Sequence, residues 1–97
     1  MRHKAHLVEA ATADTVEATL RALLAEALGL PARRVASFTG ETPLFGALPE
    51  FDSLAVANFL TAFEERFAVE IDDHDVEAED FESFGRLLAF ARRMTLG

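Results

Sequence analysis

From Asp14 onward the apolar residues recur with a helical period. Val16, Leu20, Leu23, Leu24 and Ala27 fall on one stripe with spacings of three and four, the signature of an amphipathic helix with one buried face. Asp14, with Glu17 three residues on, has the spacing of a capping box with Asp as the cap. Gly29 suits the left-handed position just past a helix end, and Pro31 forbids continuation. Residues 1–13 show no period and read as a flexible lead-in to a domain spanning 14–95.

A long connection follows, over 29–52, punctuated by Gly29, Pro31, Gly40, Pro43, Gly46 and Pro49. Arg33 to Val35 has room for one turn of helix. A connection of this length inside a small domain needs packing of its own, so it is expected to wrap the core as an ordered loop. Leu30, Val35, Phe38, Leu44 and Phe45 are its expected anchors.

The second long helix is expected from Ser53 to Phe67. Val56, Phe59, Leu60, Phe63 and Phe67 make its buried stripe, which leaves Leu54, Ala57, Asn58 and Thr61 facing outward. After Val69 and Ile71 comes an acidic turn, Asp72-Asp73-His74-Asp75, and then a short element from Val76 to Phe81. Ser83 is a good cap for a last helix with Phe84, Leu87, Leu88 and Ala91 on one face. Arg92 and Arg93 suit the negative end of its dipole. No alternating Val/Ile/Thr-rich segment reads as a strand. The fold class is therefore all-α: a four-helix bundle of three longer helices and one short one, with a long loop between the first and second.

Composition narrows the function classes. Ninety-seven residues, 51% of them apolar, make one domain with a real core. The net charge is −8, and it is uneven: four Lys/Arg stand against thirteen Asp/Glu in residues 41–97, but five against four in residues 1–40. Such a surface repels nucleic acid and anionic membranes and favours a basic protein partner. The absence of cysteine excludes disulfides, thiolate metal sites and a Cys nucleophile. No apolar run is long enough for a membrane span, and the basic Met1-Arg2-His3-Lys4 start is followed by no apolar h-region. A cytoplasmic location is the expectation.

Ser53 is the candidate for chemistry. At a helix start, free backbone N–H groups and the positive end of the macrodipole favour an attached anion, so a phosphodiester on Ser53 would sit in a favourable field. A serine acting as a nucleophile unaided needs a base within reach and an oxyanion stabiliser. The histidines, His3, His6 and His74, are not placed near Ser53 by the sequence, and no G-x-S-x-G elbow occurs. Ser53 reads as a passive acceptor, and no catalytic residue is assigned. Asp72, Asp73, His74 and Asp75 lack the alternating ligands, glycine and distal Glu of an EF-hand loop, so no metal site is assigned either.

The ensemble of Asp52-Ser53-Leu54 opening a helix that ends in Phe63-Glu64-Glu65-Arg66-Phe67, with Val69-x-Ile71 and an acidic turn after it, resembles the acyl carrier protein family over about residues 14–95. The resemblance implies a non-enzymatic carrier. Ser53 would receive 4′-phosphopantetheine from coenzyme A through a separate phosphopantetheinyl transferase, and the arm would then hold an acyl or aminoacyl group as a thioester. Asp52 belongs to the attachment motif and is a candidate contact for the transferase or another partner. Leu54, Ala57, Asn58 and Thr61 are the candidate partner-facing residues, rimmed by Glu50, Asp52, Glu64 and Glu65. Further implied partners are an acyl- or aminoacyl-activating ligase and a downstream acyltransferase or synthase, with the carrier itself monomeric. Carriers of fatty acid synthesis usually bear acidic residues early in this helix, whereas this chain has Ala55 and Asn58; that departure points to a dedicated pathway.

A closer likeness is to stand-alone carriers that accompany exosortase-type exopolysaccharide systems. It is carried by Leu44-x-Gly46-Ala47-Leu48-Pro49-Glu50-Phe51-Asp52-Ser53-Leu54-Ala55-Val56, by Ile71-Asp72-Asp73-x-Asp75 and by Phe81-Glu82-Ser83-Phe84-Gly85. Nine phenylalanines, with no Tyr or Trp, add one expectation. If Phe59, Phe63, Phe67, Phe81, Phe84 and Phe90 crowd the interior, little room remains for a long acyl chain, and the cargo is short, polar or exposed. The alternative reading is a small helical interaction or regulatory domain without a prosthetic group, in which Asp52-Ser53 merely caps a helix. A hydrolase using Ser53 with a histidine is a third.

Overall fold

The computed structural model describes residues 13–96. Among them are four α-helices, three of them long, and no strand: α1 (Ala13–Leu28), the five-residue α2 (Ala32–Ala36), α3 (Ser53–Phe67) and α4 (Phe84–Leu96). Two 3₁₀ turns, Asp73–Asp75 and Ala78–Phe81, lie between α3 and α4. This is the helical bundle expected from the periodicity. The lead-in, up to residue 12, lies outside the described residues.

Helix α1 packs its stripe of Val16, Leu20, Leu23, Leu24 and Leu28 against α3 and α4. It ends as expected. Gly29 takes φ 69°, and the N–H of Leu30 reaches back to the Ala25 carbonyl at 3.0 Å, closing the last turn as a Schellman motif. The side chain of Asp14, and with it the capping box expected from Asp14 and Glu17, lies outside the described residues. Glu17 accepts from Arg21 at 2.7 Å and lies 3.7 Å from Arg92. Arg21 then donates to the Val35 carbonyl at 2.8 Å and lies over the Phe84 ring, 4.4 Å from its centre. One guanidinium thus ties α1 to both α2 and α4.

The long loop wraps the core, as its length demanded. Leu30, Val35, Phe38 and Leu44 are buried. Phe45 is not: it is 46% exposed, and Phe51 takes the interior place instead. Leu44 and Phe45 are successive residues whose N–H groups bond the Glu82 and Phe81 carbonyls in turn, and of the two only Leu44 is buried in the core. Two further bonds, from Phe84 N–H to the Thr42 carbonyl (2.8 Å) and from Gly85 N–H to the Gly40 carbonyl (2.9 Å), finish the seam between this loop and the start of α4. They also satisfy the first two orphan donors of α4. Ser83 caps the third, its Oγ accepting from Arg86 N–H at 3.2 Å.

The core is aromatic. Phe51, Phe59 and Phe81 form a triangle of edge-on rings with centres 5.7–6.2 Å apart. Phe59 continues to Phe63 at 5.9 Å, and Phe63 to Phe90 at 5.4 Å. Phe67 is only half-buried, its ring tilted against that of Phe63 at the margin with centres 4.5 Å apart. This network holds α3 rigidly against α4 and the loop, and so fixes where α3 begins.

Candidate functional site

Asp52 sets the start of α3. Its backbone is extended (φ −95°, ψ −173°), and its Oδ1 accepts the N–H of Ala55 at 2.9 Å while its carbonyl accepts that of Val56. That accounts for two donors of the first turn. The N–H groups of Ser53 and Leu54 meet no acceptor among the described residues, and the first turn carries no acidic side chain. The amino end of α3 therefore presents a partial positive charge to solvent.

Ser53 is the first residue of that turn and is exposed. No side chain among the described residues is hydrogen-bonded to its hydroxyl, and His74 is held in the exposed turn Asp73–Asp75. His3 and His6 lie outside the described residues. The hydroxyl is thus available to an incoming enzyme and is not activated by a neighbouring base, as an acceptor rather than a catalytic nucleophile would be.

The outward face of α3 is as the period predicts. Leu54 is 70% exposed, and Ala57, Asn58 and Thr61 are exposed one and two turns on. The expected acidic rim is only partly there. Asp52 and Glu65 are exposed, but Glu50 pairs with Arg34 at 3.3 Å, and Glu64 turns away so that its Oε2 accepts from Ile71 N–H at 2.7 Å. The run at residues 72–75 is consumed in its own turn: Asp75 Oδ2 accepts from Asp72 N–H at 2.9 Å, and the two side chains form a capping box. No cluster of three or more His, Asp or Glu suited to a metal occurs among the described residues.

One feature of the site escaped the sequence reading. Ser53 stands at the edge of an apolar groove of about 310 Å³ between α3 and the segment 76–81. Val56 and Leu60, the half-buried flank of the α3 stripe, line one side, and Phe45, Val76, Ala78 and Phe81 line the other. The signal was present in part: Val56 and Leu60 follow Ser53 at helical spacings of three and seven. That Phe45 would face them is a tertiary fact.

The family model for the phosphopantetheine attachment site matches residues 18–91. Among solved structures, the holo acyl carrier protein of Nitrosomonas europaea, determined in solution by NMR, is 38% identical, with a TM-score of 0.70 over 80% of this chain and 92% of that one. No curated protein sequence matches the chain. With the match spanning most of the chain and the helical architecture shared, this chain belongs to the acyl carrier protein family, whose members are non-catalytic carriers of a covalently attached phosphopantetheine.

Proposed function

We propose that Ser53 is the residue that carries the phosphopantetheine, and that this chain presents an acyl or aminoacyl thioester to the enzymes of one dedicated biosynthetic pathway. The observation that carries the reading is the exposed Ser53 hydroxyl at the open amino end of α3, beside two unengaged backbone N–H groups. These residues fit the group. A phosphodiester on Oγ gains the helix-terminal field, and the adjoining Asp52 has a carboxylate oxygen turned to Ala55 N–H. When bound, the arm supplies a thiol for thioester chemistry; the protein positions it and takes no proton.

A separate phosphopantetheinyl transferase modifies Ser53, with Asp52 as a contact. Leu54, Ala57, Asn58 and Thr61 form the surface that the transferase, a loading ligase and a downstream acyltransferase or synthase read in turn. The neutral first turn of α3 supports recognition by apolar contact more than by charge, and hence a dedicated ligase of the kind that accompanies exosortase-type exopolysaccharide systems. The domain acts as a monomer in the cytoplasm; among the described residues no helix is long and apolar enough to cross a membrane. Phe59, Phe63, Phe81 and Phe90 fill the interior, which supports a cargo that is short, polar or held at the surface.

The test is incubation of the full chain with coenzyme A and a promiscuous transferase, read by intact mass. A gain of one phosphopantetheine in the native chain, absent from Ser53→Ala, is the expected result. A gain that persists in Ser53→Ala moves the attachment elsewhere and overturns the assignment.

A further inference from the structure

Three of the four Lys/Arg residues in 41–97, Arg86, Arg92 and Arg93, stand on α4, which carries no acidic residue. Arg92 is half-buried and turned to Glu17 of α1, whereas Arg86, Ala89 and Arg93 are exposed along one face of the helix. Arg86 follows the Ser83 cap at the position where a capping box places Glu, and where the positive end of the helix dipole disfavours a cation. Its guanidinium meets no carboxylate or carbonyl among the described residues, so the fold gains no contact from this charge. Arg93 is held in place: it donates to the Asp75 carbonyl at 3.3 Å and lies 3.5 Å from Asp80 Oδ2, yet its side chain stays 54% exposed. Both arginines line a trough of about 440 Å³, together with Ala89, Gly85 and Gly40. Gly85 and Gly40 meet backbone to backbone, and no side chain rises there. The trough shares no residue with the groove beside Ser53, and no residue of α3 lines it.

We propose that this face of α4 is a second docking surface, and that its occupant is an acidic helix of a partner protein. Arg86 and Arg93 are seven residues apart, about 10.5 Å along the axis at 1.5 Å per residue. Two carboxylates at the same interval on a facing helix meet both guanidinium groups at once, and the small residues between them let the backbones approach. A continuous polyanion fits badly. Asp80 lines the trough and exposed Glu82 stands just before the cap of α4, so a nucleic-acid backbone or an anionic lipid sheet meets repulsion within the same patch. The chain's net charge of −8 steers basic partners to its other faces, and here the sign is locally reversed. A partner held on α4 leaves the amino end of α3 open, so the two surfaces can be occupied together.

The experiment titrates the isotopically labelled full chain with a synthetic Ala-rich helical peptide bearing two Glu seven residues apart, and with its Gln counterpart. The Glu peptide should shift the side-chain N–H signals of Arg86 and Arg93 and the amides of α4, leaving those of Ser53 and Leu54 in place; the Gln peptide should shift none. Arg86→Gln should weaken binding by about 2–5-fold, the worth of one exposed ion pair, without lowering the urea midpoint. Arg86→Lys should keep most of the affinity. Equal shifts with the Gln peptide, or unchanged affinity in Arg86→Gln, overturn the proposal. So does a lowered midpoint in Arg86→Gln, which would give the charge to the fold. The same α4 shifts with inorganic phosphate alone overturn it in favour of a small-anion site. Displacement of the peptide by phosphatidylglycerol vesicles overturns it in favour of a membrane. Shifts of α4 on diluting the free chain overturn it in favour of a second copy.

Discussion

Gly85 approaches Gly40 so closely that a β-carbon added to Gly85 would stand 2.7 Å from the Gly40 carbonyl oxygen, the same oxygen that accepts the Gly85 N–H. The start of α4 and the middle of the long loop are thus in backbone-to-backbone contact, and that contact holds the loop whose later residues form the groove wall. Gly85→Ala must push two backbones apart. Set against the roughly 1 kcal/mol that Ala gains over Gly in a helix, overpacking of about 1–3 kcal/mol should win. A lower urea midpoint for Gly85→Ala is expected; a midpoint at or above the native value would show that the seam yields cheaply.

Asp52 caps α3, and the transferase contact proposed for it is a second duty that can be tested apart from the first. As the cap of α3 it accepts from Ala55 N–H, and losing that bond in Asp52→Ala should cost about 1 kcal/mol. Asp52→Asn retains a capping oxygen but loses the charge, so its stability should stay within a few tenths of a kcal/mol of native. Rates of phosphopantetheinylation then assign the second duty. If Asn slows modification while stability holds, the carboxylate contacts the transferase; native rates in Asp52→Asn would leave it a cap alone.

Helices α1 and α3 end in the same motif with different residues. Gly29 occupies the left-handed position after α1, whereas Ala68 occupies it after α3, at φ 57°, with Val69 N–H reaching the Glu64 carbonyl at 3.1 Å. A β-carbon in that conformation costs roughly 1–2 kcal/mol, part of which Gly returns through the greater freedom of the unfolded chain. Ala68→Gly should therefore raise stability, by no more than about 1 kcal/mol on thermal or urea unfolding. A destabilised Ala68→Gly would mean that the methyl packs usefully.

Two residues on opposite faces of α3 should separate folding from recognition. Phe63 is fully buried between Phe59 and Phe90, and Phe63→Ala should cost about 3–5 kcal/mol. Leu54→Ala should change stability by no more than about 0.5 kcal/mol, because the side chain already lies in water. Its expected effect is on the rate of modification or loading. Equal rates for Leu54→Ala and the native chain with every partner tested would remove Leu54 from the recognition surface.

Periodicity sufficed wherever a segment makes its own hydrogen bonds. The span of α3 from Ser53 to Phe67, the outward set of Leu54, Ala57, Asn58 and Thr61, the Ser83 cap and the Gly29 stop all follow from local spacing, because a helix closes its ladder within itself. The position of Asp52-Ser53-Leu54 at the start of α3 was legible for the same reason. The long loop was legible only as a need for anchors. Phe45 and Phe51 lie six residues apart in a stretch with no period, and nothing local says which one enters the core.

What the amino-acid order determined by itself was a set of rods, their buried stripes and a serine at the open end of one of them. The tertiary structure decided the rest: that Phe51 rather than Phe45 completes the ring cluster, that Glu64 turns to cap Ile71, and that a groove opens beside Ser53. Side-chain direction in a loop is set by backbone bonds to distant segments, here from residues 40–45 to residues 81–85. Such bonds have no spacing along the chain for a sequence pattern to record.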